Sequence, residues 1–166
     1  MNYIQIEGDL FESDAKYLVH QCNCLTSVGS NLAKAMFEKF PFSDIYAPRA
    51  NYTREELPLP GEEPGDIVIK GNGLDERYVI NMMGQIFPGN VKYPDSMKDG
   101  FAARQTYFKD CLLKIMKIDN LESVAFPDHI GCGVAGGSWE IYEKLIDIFA
   151  KKVNAEVFIY KLSEGE

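Results

Sequence analysis

The residues whose types and spacing could do chemistry fall in two short stretches of the chain. The first, HQCNCLTSVGSN at positions 20–31, combines a histidine and two cysteines with small polar residues. The second, IGCGVAGG at positions 130–137, holds four glycines and leads into a helical pattern that starts at Trp139. A glycine-rich loop before a helix presents several backbone N–H groups to one anion, and the positive end of the helix dipole adds to the attraction. The second stretch therefore predicts a phosphate-binding loop, with a turn that only allows close packing as the alternative.

Length and charge narrow the classes of function. The 166 residues include 46% hydrophobic residues and carry a net charge of −8, which favours one folded domain over residues 1–166. A chain this acidic offers no broad basic surface to a nucleic-acid backbone. No stretch resembles a signal peptide or is long enough to span a bilayer, so no membrane partner is expected. The four cysteines are too few for a disulfide framework, and we expect reduced thiols and a cytoplasmic location.

Hydrophobic periodicity predicts the elements that must position the two stretches. Strands are predicted at residues 3–7, 17–22, 66–70, 77–85, 123–127 and 155–161, and helices at about 32–40, at 101–117 and from 139. Residues 66–85 are expected to form a hairpin with its first strand near the sheet edge. The proline-containing segments 42–65 and 86–98 are predicted to be surface loops, the first with one short helical turn. Alternating strands and helices predict a three-layer α/β domain, with a ligand site beyond the carboxyl ends of the strands.

Four motifs in the same order resemble those of the macrodomains, a family of ADP-ribose-binding modules. They are GDLFE at 8–12, HQCNC at 20–24, GSNLAKAMFEKFP at 29–41 and IGCGVAGGSWE at 130–140. The similarity is greatest to the stand-alone branch that includes ADP-ribose-1″-phosphate phosphatase. It implies an α/β/α fold around a mixed, mostly parallel sheet of about six strands. It also implies hydrolysis of ADP-ribose 1″-phosphate to ADP-ribose and phosphate. Removal of ADP-ribose from a protein or nucleic acid, and binding without turnover, remain the alternatives.

The resemblance also implies which residues contact the ligand. They are Asp9, Leu10, Asn23, Gly29, Ser30, Asn31, Leu32, Gln85, Ile130, Gly131, Cys132, Gly133, Val134, Ala135, Gly136 and Gly137. Asp9 would accept a hydrogen bond from the adenine amine, and Asn23 would hold the distal ribose; each could instead be a turn residue. The 29–32 segment would surround the distal ribose, although Ser30 and Asn31 carry side chains where the family has glycine. The 130–137 loop would wrap the diphosphate.

His20 and Asn23 are the candidates for catalysis that the resemblance implies. An imidazole suits proton transfer to a leaving alkoxide. Strand parity weighs against His20, because His20 and Asn23 face opposite sides of a regular strand and meet one ligand only if the strand bends. His129, beside Asp128, is the second titratable candidate.

Two further mechanisms are disfavoured by the sequence. Related hydrolases that remove ADP-ribose from carboxylates carry an acid at the position of Ala135, and alanine cannot replace it. A zinc site built from the two histidines with Cys22, Cys24 and Cys132 would match no established zinc spacing. We therefore expect no metal and no cofactor.

Overall fold

A six-stranded sheet forms the middle layer of the computed structural model, which describes residues 1–163. The strands are β1 (Ile4–Glu7), β2 (Tyr17–Cys22), β3 (Ile67–Lys70), β4 (Tyr78–Met83), β5 (Glu122–Pro127) and β6 (Ala155–Lys161), in the spatial order β1-β6-β5-β2-β4-β3. Only the β3–β4 pair is antiparallel among these described strands. The mixed, mostly parallel sheet is therefore confirmed. The carboxyl ends of the five parallel strands lie together at one end of the sheet.

Three α-helices within the described residues cover the two faces of the sheet. They are α1 (Asn31–Lys39), α2 (Phe101–Met116) and α3 (Trp139–Lys152). The stripes Phe108–Leu112–Ile115 of α2 and Tyr142–Ile146–Phe149 of α3 pack in one cluster with alternate residues of β2, β4, β5 and β6. Met36 of α1 packs with Leu18 of β2 in a second cluster on the opposite face. Burial of both faces confirms the three-layer arrangement.

Most element boundaries agree with the sequence prediction within about two residues, as expected where helix ends fray. The hairpin is present, and β3 lies at the sheet edge as predicted. Helix α1 ends at Lys39, one residue before the predicted end, because Phe40 leaves the helical conformation ahead of Pro41. In β1 the alternation of apolar and polar residues predicts burial only in part. Ile4 is exposed, whereas Tyr3 is buried in the large cluster. The last three positions of the predicted 1–166 domain lie outside the described residues.

The segment 42–65 differs from the predicted surface loop. It contains 3-10 turns at Ala47–Asn51 and Arg54–Glu56, and its first two residues belong to a third turn at Pro41–Ser43. Ser43, Ile45, Tyr46 and Arg49 within it are buried. The polar and proline-rich composition of the segment therefore did not indicate that its first part, up to Arg49, packs against the carboxyl ends of β2 and β4. None of the helices found within residues 1–163 is both long and apolar enough to cross a membrane.

Candidate functional site

A cleft of about 380 Å³ opens beyond the carboxyl ends of β2, β4 and β5. That volume is in the range of small-molecule sites, and the position is where α/β domains place ligands. Its lining comes from the ends of the strands, the start of α1 and two loops: Gln21, Cys22, Asn23, Thr26, Val28, Ser30, Asn31, Leu32, Ala33, Tyr46, Gln85, Pro88, Gly89, Pro127, Asp128, His129, Ile130, Gly131, Cys132, Gly133, Val134 and Ala135. The two stretches identified from the sequence thus meet across one cleft.

Backbone N–H groups without a protein acceptor lie on both sides of this cleft. On one side α1 begins without a side-chain cap from Ser30, and the amides of Asn31, Leu32 and Ala33 have no acceptor in residues 1–163. Opposite it, the N–H groups of Gly133, Val134 and Ala135 donate to no acceptor within the same residues. Unsatisfied amides and a helix N-terminus together attract an anion. Lys and Arg side chains are absent from the described lining.

Glycines shape the 130–137 loop for two different reasons. Gly131 has φ +76°, and a Cβ there would lie 2.4 Å from the Tyr142 ring. Gly136 has φ +79°, and a Cβ would lie 2.0 Å from Asn90 Oδ1. No other residue fits these positions without displacing a neighbour. Gly133 is different, because a Cβ would meet nothing within 4 Å on the described protein. Only Gly133 thus has space that a ligand could use.

Asn23 lies at the end of β2 and is held in a turn. Its Oδ1 accepts hydrogen bonds from the backbone N–H of Leu25 and of Thr26, each at 2.9 Å. Its backbone N–H donates to Tyr46 Oη at 2.8 Å. The buried Arg49 extends this support, since its guanidinium lies over the Tyr46 ring and donates to the Thr26 carbonyl at 3.1 Å. Both the predicted ligand role of Asn23 and the turn-residue alternative are therefore compatible with its position.

A second buried arginine, Arg104 of α2, joins the other two loops of the cleft. It donates to the Gly89 carbonyl at 2.8 Å and to the Ala135 carbonyl at 3.2 Å. Asp99 pairs with it at 2.7 Å and accepts backbone N–H groups at Ile86 and Phe87. Sequence reasoning missed both arginines. Position 104 does carry a signal, because it falls on the apolar stripe of α2, one helical turn before Phe108.

Gln85 lines the cleft as predicted, and its amide is committed to the protein. Its Nε2 donates to the Phe87 carbonyl at 2.8 Å, and its Oε1 accepts from Gln21 Nε2 at 2.6 Å. Gln21, which the sequence did not single out, has a buried Oε1 without a hydrogen-bond partner in the described protein. That oxygen lies between Gly84 and Gly131 and leaves no room for a Cβ at either residue.

The structure places His20, the residue expected to act in catalysis, away from the lining of the cleft. His20 is 1% exposed on the α1 face of the sheet and is not part of the cleft lining. Its Nε2 lies 2.6 Å from Asn81 Oδ1 on β4, and its ring packs against the Phe37 ring at 5.3 Å. Burial lowers the His20 pKa to about 4, although the Asn81 hydrogen bond opposes the shift. The strand stays regular through Cys22, so His20 and Asn23 point to opposite sides of it, and a catalytic role for His20 stays a prediction.

Five predicted ligand residues lie outside the lining of the cleft: Asp9, Leu10, Gly29, Gly136 and Gly137. Asp9 is exposed and accepts the backbone N–H of Phe11 at 2.9 Å, as a capping residue does. Leu10 is buried with Leu18 under α1. Gly29 packs against the start of α1, where a Cβ would lie 3.0 Å from the Lys34 backbone nitrogen. Asp9 does follow β1 at the same sheet edge as the cleft, so its adenine contact stays a prediction.

The ionisable side chains of the lining differ in their surroundings. Burial raises the pKa of Cys132 to about 12, and burial also raises the pKa of Cys22 and of Tyr46 well above their usual values. These groups therefore stay neutral at pH 7. His129 is exposed, and its Nδ1 lies 2.5 Å from Asp128 Oδ2. Across residues 1–163, no three His, Cys, Asp or Glu side chains come close enough together to hold a metal ion.

Two known proteins are similar to this chain in sequence, one over most of its length and one over a short stretch. A protein named only as an uncharacterized 17.5 kDa protein of Enterobacteria phage T4 is 23% identical over 154 residues, 89% of this chain and 90% of its own length. The ADP-ribose 1″-phosphate phosphatase of Aspergillus oryzae is 47% identical over 38 residues. That match spans 22% of this chain and 19% of the phosphatase.

Solved structures share the fold over nearly the whole chain. A protein of unknown function from Bacteroides thetaiotaomicron has a TM-score of 0.72 and 27% identity, covering 96% of this chain and 98% of that one. Thermosipho africanus DarTG, solved in complex with ADP-ribose, has a TM-score of 0.67 and 21% identity, covering 98% of this chain and 42% of that one. The Macro domain family itself matches residues 19–146, which contain both walls of the cleft. The chain therefore belongs to the Macro domain family.

Proposed function

We propose that the cleft binds ADP-ribose, with the diphosphate between the 130–137 loop and the start of α1. The observation that carries the proposal is the pair of unsatisfied amide groups on opposite walls, at Asn31 and at residues 133–135. A diphosphate supplies anionic oxygens to both sets at once. The similar Thermosipho africanus protein was solved with ADP-ribose, which supports this choice of ligand.

The remaining parts of ADP-ribose also find suitable groups. Asn23 Nδ2 donates to Thr26 Oγ1 and keeps a second N–H for a hydroxyl of the distal ribose. Asp9, at the carboxyl end of β1, lies on the same sheet edge and offers Oδ2 to the adenine amine, since Oδ1 is occupied by Phe11. Burial of most of the ligand in such a cleft would order both loops around it.

Calorimetric titration with ADP-ribose tests binding, and Gly133→Val locates it. A Cβ at position 133 would meet no atom of the described protein within 4 Å, so the variant should unfold at about the same temperature as the wild type. It should bind ADP-ribose at least about tenfold more weakly, because the side chain occupies the diphosphate position. Ala50→Val, at an exposed position outside the cleft lining, is the matched control and should bind normally. Absence of binding by the wild type would refute the proposal.

We further propose that the bound substrate is ADP-ribose 1″-phosphate, which is hydrolysed to ADP-ribose and phosphate. The short similarity to the Aspergillus oryzae phosphatase supports this reaction, as does alanine at position 135 in place of an acid. Purified protein should release inorganic phosphate from the 1″-phosphate. Release of ADP-ribose from an ADP-ribosylated protein or nucleic acid instead would identify the de-ADP-ribosylating alternative. Binding without either reaction would leave a reader of ADP-ribose.

A further inference from the structure

We infer that Asp128 and His129 form the proton-transfer pair of the cleft, an assignment that rests on the proposed phosphatase function. Both residues line the cleft at the end of β5, immediately before the 130–137 loop. His129 Nδ1 lies 2.5 Å from Asp128 Oδ2, and its Nε2 has no hydrogen-bond partner in residues 1–163. A carboxylate that holds one ring nitrogen of a histidine and leaves the other without a protein partner is the arrangement of an oriented acid or base.

The surroundings hold both side chains in place. The Asp128 backbone N–H donates to the Tyr160 carbonyl at 2.8 Å, which fixes the carboxylate at the end of the sheet. The His129 ring stacks on the Trp139 indole, with ring centroids 5.0 Å apart and an interplanar angle of 18°. His129 also adopts φ 59°, an uncommon backbone conformation for a residue other than glycine. Such conformations concentrate at functional sites, where surrounding contacts maintain them.

The chemistry of the other lining residues leaves few alternatives. The Cys22, Cys132 and Tyr46 groups are kept neutral by burial, and the pair Gln21–Gln85 does not titrate. No Lys or Arg side chain belongs to the described lining, so His129 is its basic side chain. His20 is 1% exposed and does not line the cleft.

The proposed hydrolysis of the phosphate ester uses water as the nucleophile and involves no oxidation or reduction. A water oxygen forms a bond to phosphorus while the bond between phosphorus and the C1″ oxygen breaks. The leaving oxygen takes the proton from Nε2 of the His129 imidazolium, whose Nδ1–H remains bonded to Asp128. The products are ADP-ribose and inorganic phosphate, and His129 regains its proton from solvent.

Steady-state kinetics with ADP-ribose 1″-phosphate test the pair. His129→Asn keeps a side chain that tolerates positive φ, so the fold should survive. The kcat of this variant for phosphate release should fall by about 100-fold or more. Asp128→Asn should lower kcat in the same direction. The control Asp119→Asn, exposed before β5 at the opposite edge of the sheet, should keep normal kcat.

Chemical rescue separates proton transfer from a structural role. His129→Gly suits φ 59° and leaves a ring-sized space on Trp139. Added imidazole should restore phosphate release by His129→Gly and leave Asp119→Asn unaffected. Full kcat in His129→Asn, or ADP-ribose binding by the wild type without phosphate release, would overturn the pair and leave ADP-ribose binding intact. Loss of binding by the wild type would instead overturn the proposed function together with the pair.

Discussion

The two histidines of the chain occupy opposite environments, although each lies on or directly after a strand. His20 points into the layer between the sheet and α1, where Asn81 and Phe37 enclose it. His129 lies one residue past the hydrogen-bonded end of β5 and reaches solvent. The number and position of residues along each strand decide which face a side chain occupies. Residue type alone therefore did not tell which histidine faces the ligand.

Buried His20 makes the fold sensitive to acid. Its pKa falls from 6.5 to about 4 on folding, so the unfolded chain binds a proton that the folded chain excludes. The stability that neutral His20 contributes is fully present above pH 6.5. About 3 kcal/mol of unfolding free energy should be lost from this group as the pH falls toward 4. Urea unfolding of wild type and His20→Gln at pH 7, 5.5 and 4.5 should show the smaller pH dependence in the variant. Parallel curves would contradict the assignment.

Gly131 and Gly133 are separated by one residue and should respond differently to alanine. Gly131→Ala forces a side chain against Tyr142 at positive φ and should cost about 3 kcal/mol of unfolding free energy. Gly133→Ala meets no neighbour and should change stability by less than about 0.5 kcal/mol. Equilibrium denaturation measures both. Equal losses of stability would show that the loop has a different conformation in solution.

At the scale of elements, the loops of the cleft depend on two buried ion pairs. Arg49 with Glu62 supports the turn after β2 through the Thr26 carbonyl. Arg104 with Asp99 supports the loop after β4 and the glycine loop together. Backbone carbonyls bonded to a buried guanidinium lose freedom to move, which preorganises the amides opposite. The helices and turns outside the motifs thus determine the geometry of the motifs.

Removing one arginine should loosen its own loops and spare the other. Arg104→Leu should increase amide hydrogen exchange in residues 86–90 and 130–137 and weaken ADP-ribose binding by about tenfold or more. Arg49→Leu should increase exchange in residues 23–28 instead. Arg104→Leu leaves the buried Asp99 carboxylate without its cation and should lose about 3 kcal/mol of stability. Glu62 is partly exposed, so Arg49→Leu should lose less, and exchange is compared under conditions where both variants remain folded. Exchange that rises equally in every loop would indicate global destabilisation only.

The whole molecule carries a net charge of −8, yet we propose that it binds an anion. The conflict is resolved locally, because amide dipoles act over a few ångströms while the dispersed carboxylates are screened by salt. Binding through dipoles releases few counterions. This distinguishes the cleft from the lysine- and arginine-rich surfaces that bind nucleic-acid backbones.

Salt should therefore have little effect on ADP-ribose affinity. Raising the salt concentration from about 50 mM to 300 mM should change the dissociation constant by less than about threefold, because no Lys or Arg side chain lines the described cleft. Calorimetry at the two salt concentrations measures the change, with the Ala50→Val control alongside. A loss of affinity of about tenfold or more would mean that basic side chains outside the lining bind the phosphates.

The sequence alone determined the local features of this protein. Strand and helix periods predicted the elements, and glycine spacing predicted the amide-rich loop, because backbone propensities act between near neighbours. Only the tertiary structure decided which groups converge. It buried His20 outside the cleft lining, turned the first half of segment 42–65 inward, and brought Arg104 to the Ala135 carbonyl across 31 positions of sequence. Such long-range contacts depend on which face each strand and helix buries, and one residue of register reverses that choice.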